Sequence, residues 1–178
     1  MTVKVAINGF GRIGRNVLRA IIESKRKDIE VVAINDLGPV ETNAHLFRFD
    51  SVHGRFPGTV TVSGDTIDVG RGPIKVTAIR DPKDLPHKAL GVDIAFECTG
   101  ISTTRDKAAA HLAAGARRVL VSAPRDGAGR RRDGGGERAE HRLLRDPLQA
   151  GQDVAAHRAL VVAPDPAFAL HRPLAQPP

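Results

Sequence analysis

The apolar positions of residues 1–124 change period several times, and each change marks an element. Thr2 to Asn8 is a β-branched run of strand length closed by Gly9. Beyond it Ile13, Val17, Leu18, Ile21 and Ile22 recur at helical spacing, with Arg15, Arg19 and Glu23 on the other side. Ile29 to Asn35 is a second strand, so the chain opens as strand, helix, strand, and a right-handed crossover makes the two strands parallel. The pattern then predicts a short helix over 43–49, a hairpin over 59–69 turning at Ser63-Gly64-Asp65, and strands over 74–79, 92–97 and 118–122. A helix is predicted over 103–114, with Thr103 and Asp106 in capping-box spacing and Gly115 just past its end. This alternation predicts an α/β fold of the Rossmann type, with a doubly wound, mostly parallel sheet.

The pattern stops at Pro124, where the vocabulary of the chain changes. Residues 125–178 contain no Lys, Ile, Asn, Ser or Thr, and hold nine Arg, ten Ala, six Gly and six Pro in 54 positions. The domain is therefore bounded at 1–124, followed by an anomalous tail over 125–178. Two readings account for the tail: a disordered or irregular basic extension, or a segment translated out of frame in a GC-rich gene, whose codons favour these four residues. The apolar islands 159–163 and 167–170, each closed by Pro, are too short and isolated to predict a fold.

Charge and cysteine content narrow the function classes. The formal net charge is +7, with an isoelectric point of about 10.3, which raises a nucleic-acid partner through the Arg-rich tail. Residues 1–124, however, carry 18 Lys and Arg against 13 Asp and Glu scattered between apolar segments, so no specific nucleic-acid site is expected. Cys98 is the sole cysteine, which excludes an internal disulfide. The N-terminus runs straight into a strand, and no apolar stretch reaches membrane-span length; a cytoplasmic protein with no membrane partner is expected.

The residues that carry chemistry begin at the first turn. In Gly9-Phe10-Gly11-Arg12-Ile13-Gly14 the first glycine permits a tight turn, Gly11 lets a diphosphate approach the backbone, and Gly14 lets helix and strand pack closely. The amides of Arg12 and Ile13 then sit at the positive end of the helix, where an anion binds. Asp36 follows the second strand, 22 residues beyond Gly14, where a carboxylate accepts from ribose hydroxyls and repels a 2′-phosphate, which favours NAD over NADP. The alternative for Asp36 is a cap on the next turn. Cys98 follows the buried run Ile94-Ala95-Phe96 and reads as a small apolar residue rather than a nucleophile. His45, His53, His87 and His111 fall on loop or helix positions and His141, His157 and His171 in the tail, none with metal-ligand spacing, so no metal site is predicted.

Five motifs in order carry a resemblance: residues 5–15 around the glycine loop, Asn35-Asp36-Leu37, Asp50-Ser51-Val52-His53-Gly54, Glu97-Cys98-Thr99-Gly100 and Val121-Ser122-Ala123-Pro124. Over residues 1–124 the chain resembles the NAD-binding half of phosphorylating glyceraldehyde-3-phosphate dehydrogenases. Erythrose-4-phosphate dehydrogenases share most of these motifs. The resemblance implies pyrophosphate contacts from Arg12 and Ile13, adenosine ribose contacts from Asp36, an adenine-side contact from Arg80, and nicotinamide-end contacts from Thr99, Gly100 and Ser122. Ser102 departs from it, standing where the family usually has Phe or another bulky residue. The nucleophilic cysteine motif expected some 25 to 30 residues beyond Pro124 is not found in 125–178, nor is the substrate domain. The expected function is thus NAD binding without catalysis, with a non-enzymatic dinucleotide-binding module as the alternative. The intact family is homotetrameric, and assembly of this chain is not readable from its sequence.

Overall fold

The computed structural model of the chain describes residues 2–122 and the backbone of residues 160–162. Its first unit is β1 (Val3–Asn8), α1 (Arg12–Glu23) and β2 (Ile29–Asn35), with the strands parallel as the crossover rule requires. There follow α2 (Val40–Arg48), a two-stranded hairpin of β3 (Phe49–Asp50) and β4 (Gly54–Arg55), a second hairpin of β5 (Thr61–Ser63) and β6 (Thr66–Asp68), and β7 (Pro73–Thr77). The remainder is α3 (His87–Leu90), β8 (Ile94–Glu97), α4 (Arg105–Ala108), α5 (Ala110–Ala113), β9 (Arg118–Val121) and β10 (Leu160–Val162).

One eight-stranded sheet runs in the order β10-β9-β8-β1-β2-β7-β6-β5. Its centre, from β9 to β7, is parallel, and antiparallel pairs close both edges. The chain leaves β1 toward β2 and β7, then returns to the opposite side of β1 to lay down β8 and β9. This reversal opens a crevice at the carboxyl ends of β1, β2 and β8, the place where open α/β sheets receive ligands. Alternate residues face opposite layers. Ile7 and Ile34 join Phe10, Leu18, Phe47 and Phe56 in one core, while Ala6, Ala33 and Ala95 pack with Val92 and Ala116 on the other face.

Several local expectations change. Ile13, expected in the core, is 49% exposed at the cleft end of α1. Arg19, expected on the solvated face, is 8% exposed. Its guanidinium donates to the carbonyls of Gly54, His53 and Arg55, and to Glu23. Its two terminal nitrogens satisfy three carbonyls of the small β3–β4 hairpin, which the sequence pattern does not reveal. The cap at the head of the 103–114 helix is Thr104, whose hydroxyl accepts from the Lys107 amide (3.4 Å), while Thr103 is buried. That helix forms as α4 and α5, joined at Ala109, whose backbone stays right-handed helical (φ −61°, ψ −17°). The island 159–163 also contributes more than expected: β10 pairs antiparallel with β9, Leu160 opposite Val121, and covers an otherwise open edge. Pro124, the last residue of the expected domain, and the rest of the 125–178 tail, including its expected disorder, lie outside the described residues. No helix among the described residues is long and apolar enough to cross a membrane.

Candidate functional site

The crevice at the strand ends is a cleft of about 450 Å3 lined by Asn8, Gly9, Gly11, Asn35, Asp36, Leu37, Ile79, Arg80, Pro82, Cys98, Thr99, Ile101 and Ser102. Its glycine wall is shaped by what the side chains lack. Gly9 has φ +88°, and a Cβ there would stand 2.7 Å from the Thr99 nitrogen. A Cβ on Gly14 would stand 2.2 Å from the Gly9 carbonyl oxygen, so only glycine lets α1 approach β1 this closely. A Cβ on Gly11 would meet nothing within 4 Å, which leaves the backbone of the α1 N-cap bare toward the cleft. No side chain caps that helix start, and its first turn contains no acidic residue. An anionic group therefore meets amide N–H groups and the positive end of α1 without competition.

Asp36 caps the next turn, one of the two roles expected for it. Its Oδ2 accepts from the Phe10 amide (2.8 Å), tying β2 to the glycine loop, and its Oδ1 accepts from the Gly38 amide (2.9 Å), capping the next turn. Oδ1 also accepts from Asn43 Nδ2 (3.5 Å), while Oδ2 keeps a second acceptor position. Arg12 reaches out of the helix start to the Ser51 hydroxyl (3.2 Å), and Asp50 accepts from the amides of Val52 and His53 (2.8 Å each), which shapes the hairpin beside it.

The opposite wall is the turn Thr99-Gly100-Ile101, in which Gly100 has φ +74°. It is fixed from beneath by Glu97, which is 1% exposed. Glu97 Oε1 accepts from the amide (2.8 Å) and the hydroxyl of Thr99. Its Oε2 accepts from Asn8 Nδ2 (2.7 Å) and meets His111 Nε2 (2.8 Å). Burial acts to raise the Glu97 pKa, yet the hydrogen bonds from His111, Thr99 and Asn8 outweigh it and hold the carboxyl below its usual range. Asn35 donates to Asn8 Oδ1 (2.7 Å), and His111 Nδ1 meets His87 Nε2 (3.1 Å).

Of the residues singled out in the sequence, Gly9, Gly11, Asp36, Arg80 and Thr99 line the cleft together. Gly14 stands behind the loop it shapes, and Arg12, Ile13, Gly100 and Ser122 are not among the lining residues. Ser122 donates its amide to the Glu97 carbonyl (3.0 Å). Its side chain hydrogen-bonds Cys98, whose thiol burial pushes up to about 11. That agrees with an apolar rather than nucleophilic role for Cys98. Ser102 is buried in the cleft wall, and the apolar side chains Leu37 and Ile101 stand in the same lining, 54% and 73% exposed. Sequence reasoning missed Asn8, Asn35, Leu37, Glu97 and Ile101 as site residues, and placed His87 and His111 as ordinary loop or helix positions although both are fully buried. The available signal was register: Asn35, Asn8 and Glu97 each end a strand. Among the described residues no group of three metal-ligating side chains occurs.

The geometry fits a dinucleotide: a bare diphosphate cradle at the head of α1, an acceptor at the end of β2, and apolar side chains at the mouth. The chain matches residues 3–105 to the family described as glyceraldehyde 3-phosphate dehydrogenase, NAD binding domain. It is similar to the glyceraldehyde-3-phosphate dehydrogenase of Xanthobacter flavus, 88% identical over 128 residues that cover 72% of this chain and 38% of that protein. The enzyme of the same name from Cereibacter sphaeroides is 77% identical over 130 residues, 73% of this chain and 38% of its own length. That of Thermotoga maritima is 54% identical over 124 residues, 70% of this chain and 37% of its own. The matched stretch thus spans under two fifths of these relatives, 38% at most. This chain belongs to the glyceraldehyde 3-phosphate dehydrogenase family through its NAD binding domain.

Proposed function

We propose that residues 2–122 hold NAD across the cleft, with the residue roles as follows. Gly9, Gly11 and Gly14 shape the diphosphate cradle, and the amides of Arg12 and Ile13 contact the diphosphate. Asp36 accepts from the adenosine ribose, and Arg80 flanks the adenine together with Leu37 and Ile101. Thr99, Gly100 and Ser122 form the nicotinamide end. The observation that carries this reading is the bare face of Gly11 at a helix start with no side-chain cap. In the whole protein the bound cofactor would accept hydride from a glyceraldehyde phosphate, the chemistry its relatives' names state. The thiol available in this chain, Cys98, is kept protonated by burial at neutral pH, so the chain binds the cofactor without oxidising the aldehyde.

Isothermal titration of the chain with NAD, NADP and ADP-ribose tests the assignment. NAD binding is expected, with NADP at least tenfold weaker because Asp36 repels the 2′-phosphate. Equal affinity for the two would remove Asp36 from the ribose site. Aldehyde-dependent NADH formation by the purified chain would overturn the inactivity.

A further inference from the structure

We propose that Glu97 and His111 are positioning residues for the cofactor: a buried hydrogen-bond chain sets the Thr99–Gly100 turn against the glycine loop and so determines affinity for the nicotinamide half without touching it. This deepens the reading of the cleft given above and rests on it.

The chain crosses the sheet in register. Thr77, Asn35, Asn8 and Glu97 stand in one row across β7, β2, β1 and β8. The Thr77 hydroxyl donates to Asn35 Oδ1 (2.8 Å), Asn35 Nδ2 to Asn8 Oδ1 (2.7 Å), and Asn8 Nδ2 to Glu97 Oε2 (2.7 Å). From the helical layer His111 meets the same carboxylate, and His87 stands behind it against the His111 ring. Every direction is therefore fixed by its sink. Glu97 accepts from Asn8, His111 and twice from Thr99, which fills the four acceptor positions of a carboxylate. His111 must donate from Nε2. Its Nδ1 then accepts, so His87 donates from Nε2, leaving His87 Nδ1 as the buried atom without a partner at the far end.

The turn this chain holds has no slack. The Thr99 nitrogen lies 2.7 Å from where a Gly9 Cβ would be, so a displaced turn closes or opens the cleft between the two walls. Half of the four acceptor contacts of Glu97 hold that turn, and the other half anchor Glu97 itself. The row passes through Asn35, next to Asp36, but Asp36 stands two strands from Glu97 in the sheet and is fixed by its own bonds to Phe10 and Gly38. Damage at Glu97 should thus be felt by the nicotinamide half and spare the ADP-ribose half.

The test compares NAD and ADP-ribose binding to the full chain and its Glu97→Gln variant, with nitrogen-15 spectra of the histidine rings. An amide at 97 presents a donor to His111, and the histidine pair can satisfy it only by reversing. In the wild-type chain the hydrogen-bond directions place a proton on Nε2 of each ring; in Glu97→Gln both protons move to Nδ1. NAD affinity is expected to fall about tenfold, with ADP-ribose affinity within about twofold, the scale of one lost buried hydrogen bond. Should Glu97→Gln fail to fold, His111→Gln keeps a donor to Glu97 and an acceptor for His87 and is expected to retain the wild-type affinity ratio, while His111→Leu loses it. An unchanged NAD to ADP-ribose ratio in Glu97→Gln, or in His111→Leu where Glu97→Gln does not fold, overturns the inference and leaves the cleft assignment standing. A wild-type chain that binds neither ligand overturns both.

Discussion

The Gly9–Gly14 wall of the cleft and the Thr99–Gly100 wall stand at the ends of adjacent strands, yet the first is held in place by side chains that are missing and the second by side chains that are buried. At Gly14 the space for a Cβ is already taken by the Gly9 carbonyl at 2.2 Å, so the loop is defined by steric exclusion, an interaction indifferent to pH. Under Thr99 the support is an ionised carboxylate at 1% exposure with a histidine pair behind it. Such a support depends on protonation, because a buried charge is tolerable only while its donors remain in place.

The largest expected effect tests the steric wall. Gly14→Ala forces the helix away from β1 and should cost more than about 3 kcal/mol in chemical denaturation, since both close partners are backbone or core atoms that cannot yield. A loss below about 1 kcal/mol would show that the helix can retreat.

The next effect belongs to the buried wall. Burial and then the neighbouring His111 lower the His87 pKa to about 4 from its ordinary 6.5. The unfolded chain therefore takes up this proton at higher pH than the folded one. Stability is full above pH 6.5 and falls through the window from 6.5 down to 4, by about 2 to 3 kcal/mol. Glu97, held below its usual 4.5, adds a further loss at the bottom of that window. Urea unfolding between pH 7 and 4 checks the slope, and His87→Gln should flatten it. A pH-independent wild-type chain would mean the histidine pair is more hydrated than its burial implies.

Asp36 joins β2 to the glycine wall, and its replacement is expected to matter less. Asp36→Ala should weaken NAD binding by about 2 kcal/mol and also orphan the Phe10 and Gly38 amides. Asp36→Asn, which keeps an acceptor and loses the charge, should narrow the preference for NAD over NADP. Undiminished NAD affinity in both variants would leave Asp36 as a turn cap alone.

The smallest change in stability is expected at Gly11. Because a Cβ there meets nothing, Gly11→Ala should shift folding by no more than about 0.5 kcal/mol while weakening NAD binding. If binding survives as well, the diphosphate does not lie against that face.

How much of this was legible in advance follows the same division. The glycine loop, the acid beyond the second strand and the order of strands and helices lie in local patterns of period and spacing. Local geometry enforces them wherever the chain folds, so pattern and spacing determined the α/β architecture and three of the residues that line the cleft, Gly9, Gly11 and Asp36. Arg80 and Thr99 were expected only through the family resemblance. The position of the Thr99 turn was not legible, because it depends on Glu97 meeting Asn8, 89 residues away, and His111, 14 residues on. Arg19 was misread for a related reason: helical period assigned it to solvent, and only the β3–β4 hairpin folding over α1 supplied carbonyls for its guanidinium. A sequence states which side chains are small, apolar or charged. Whether a buried charge finds enough donors is settled only when strands β2, β1 and β8 bring Asn35, Asn8 and Glu97 into one row.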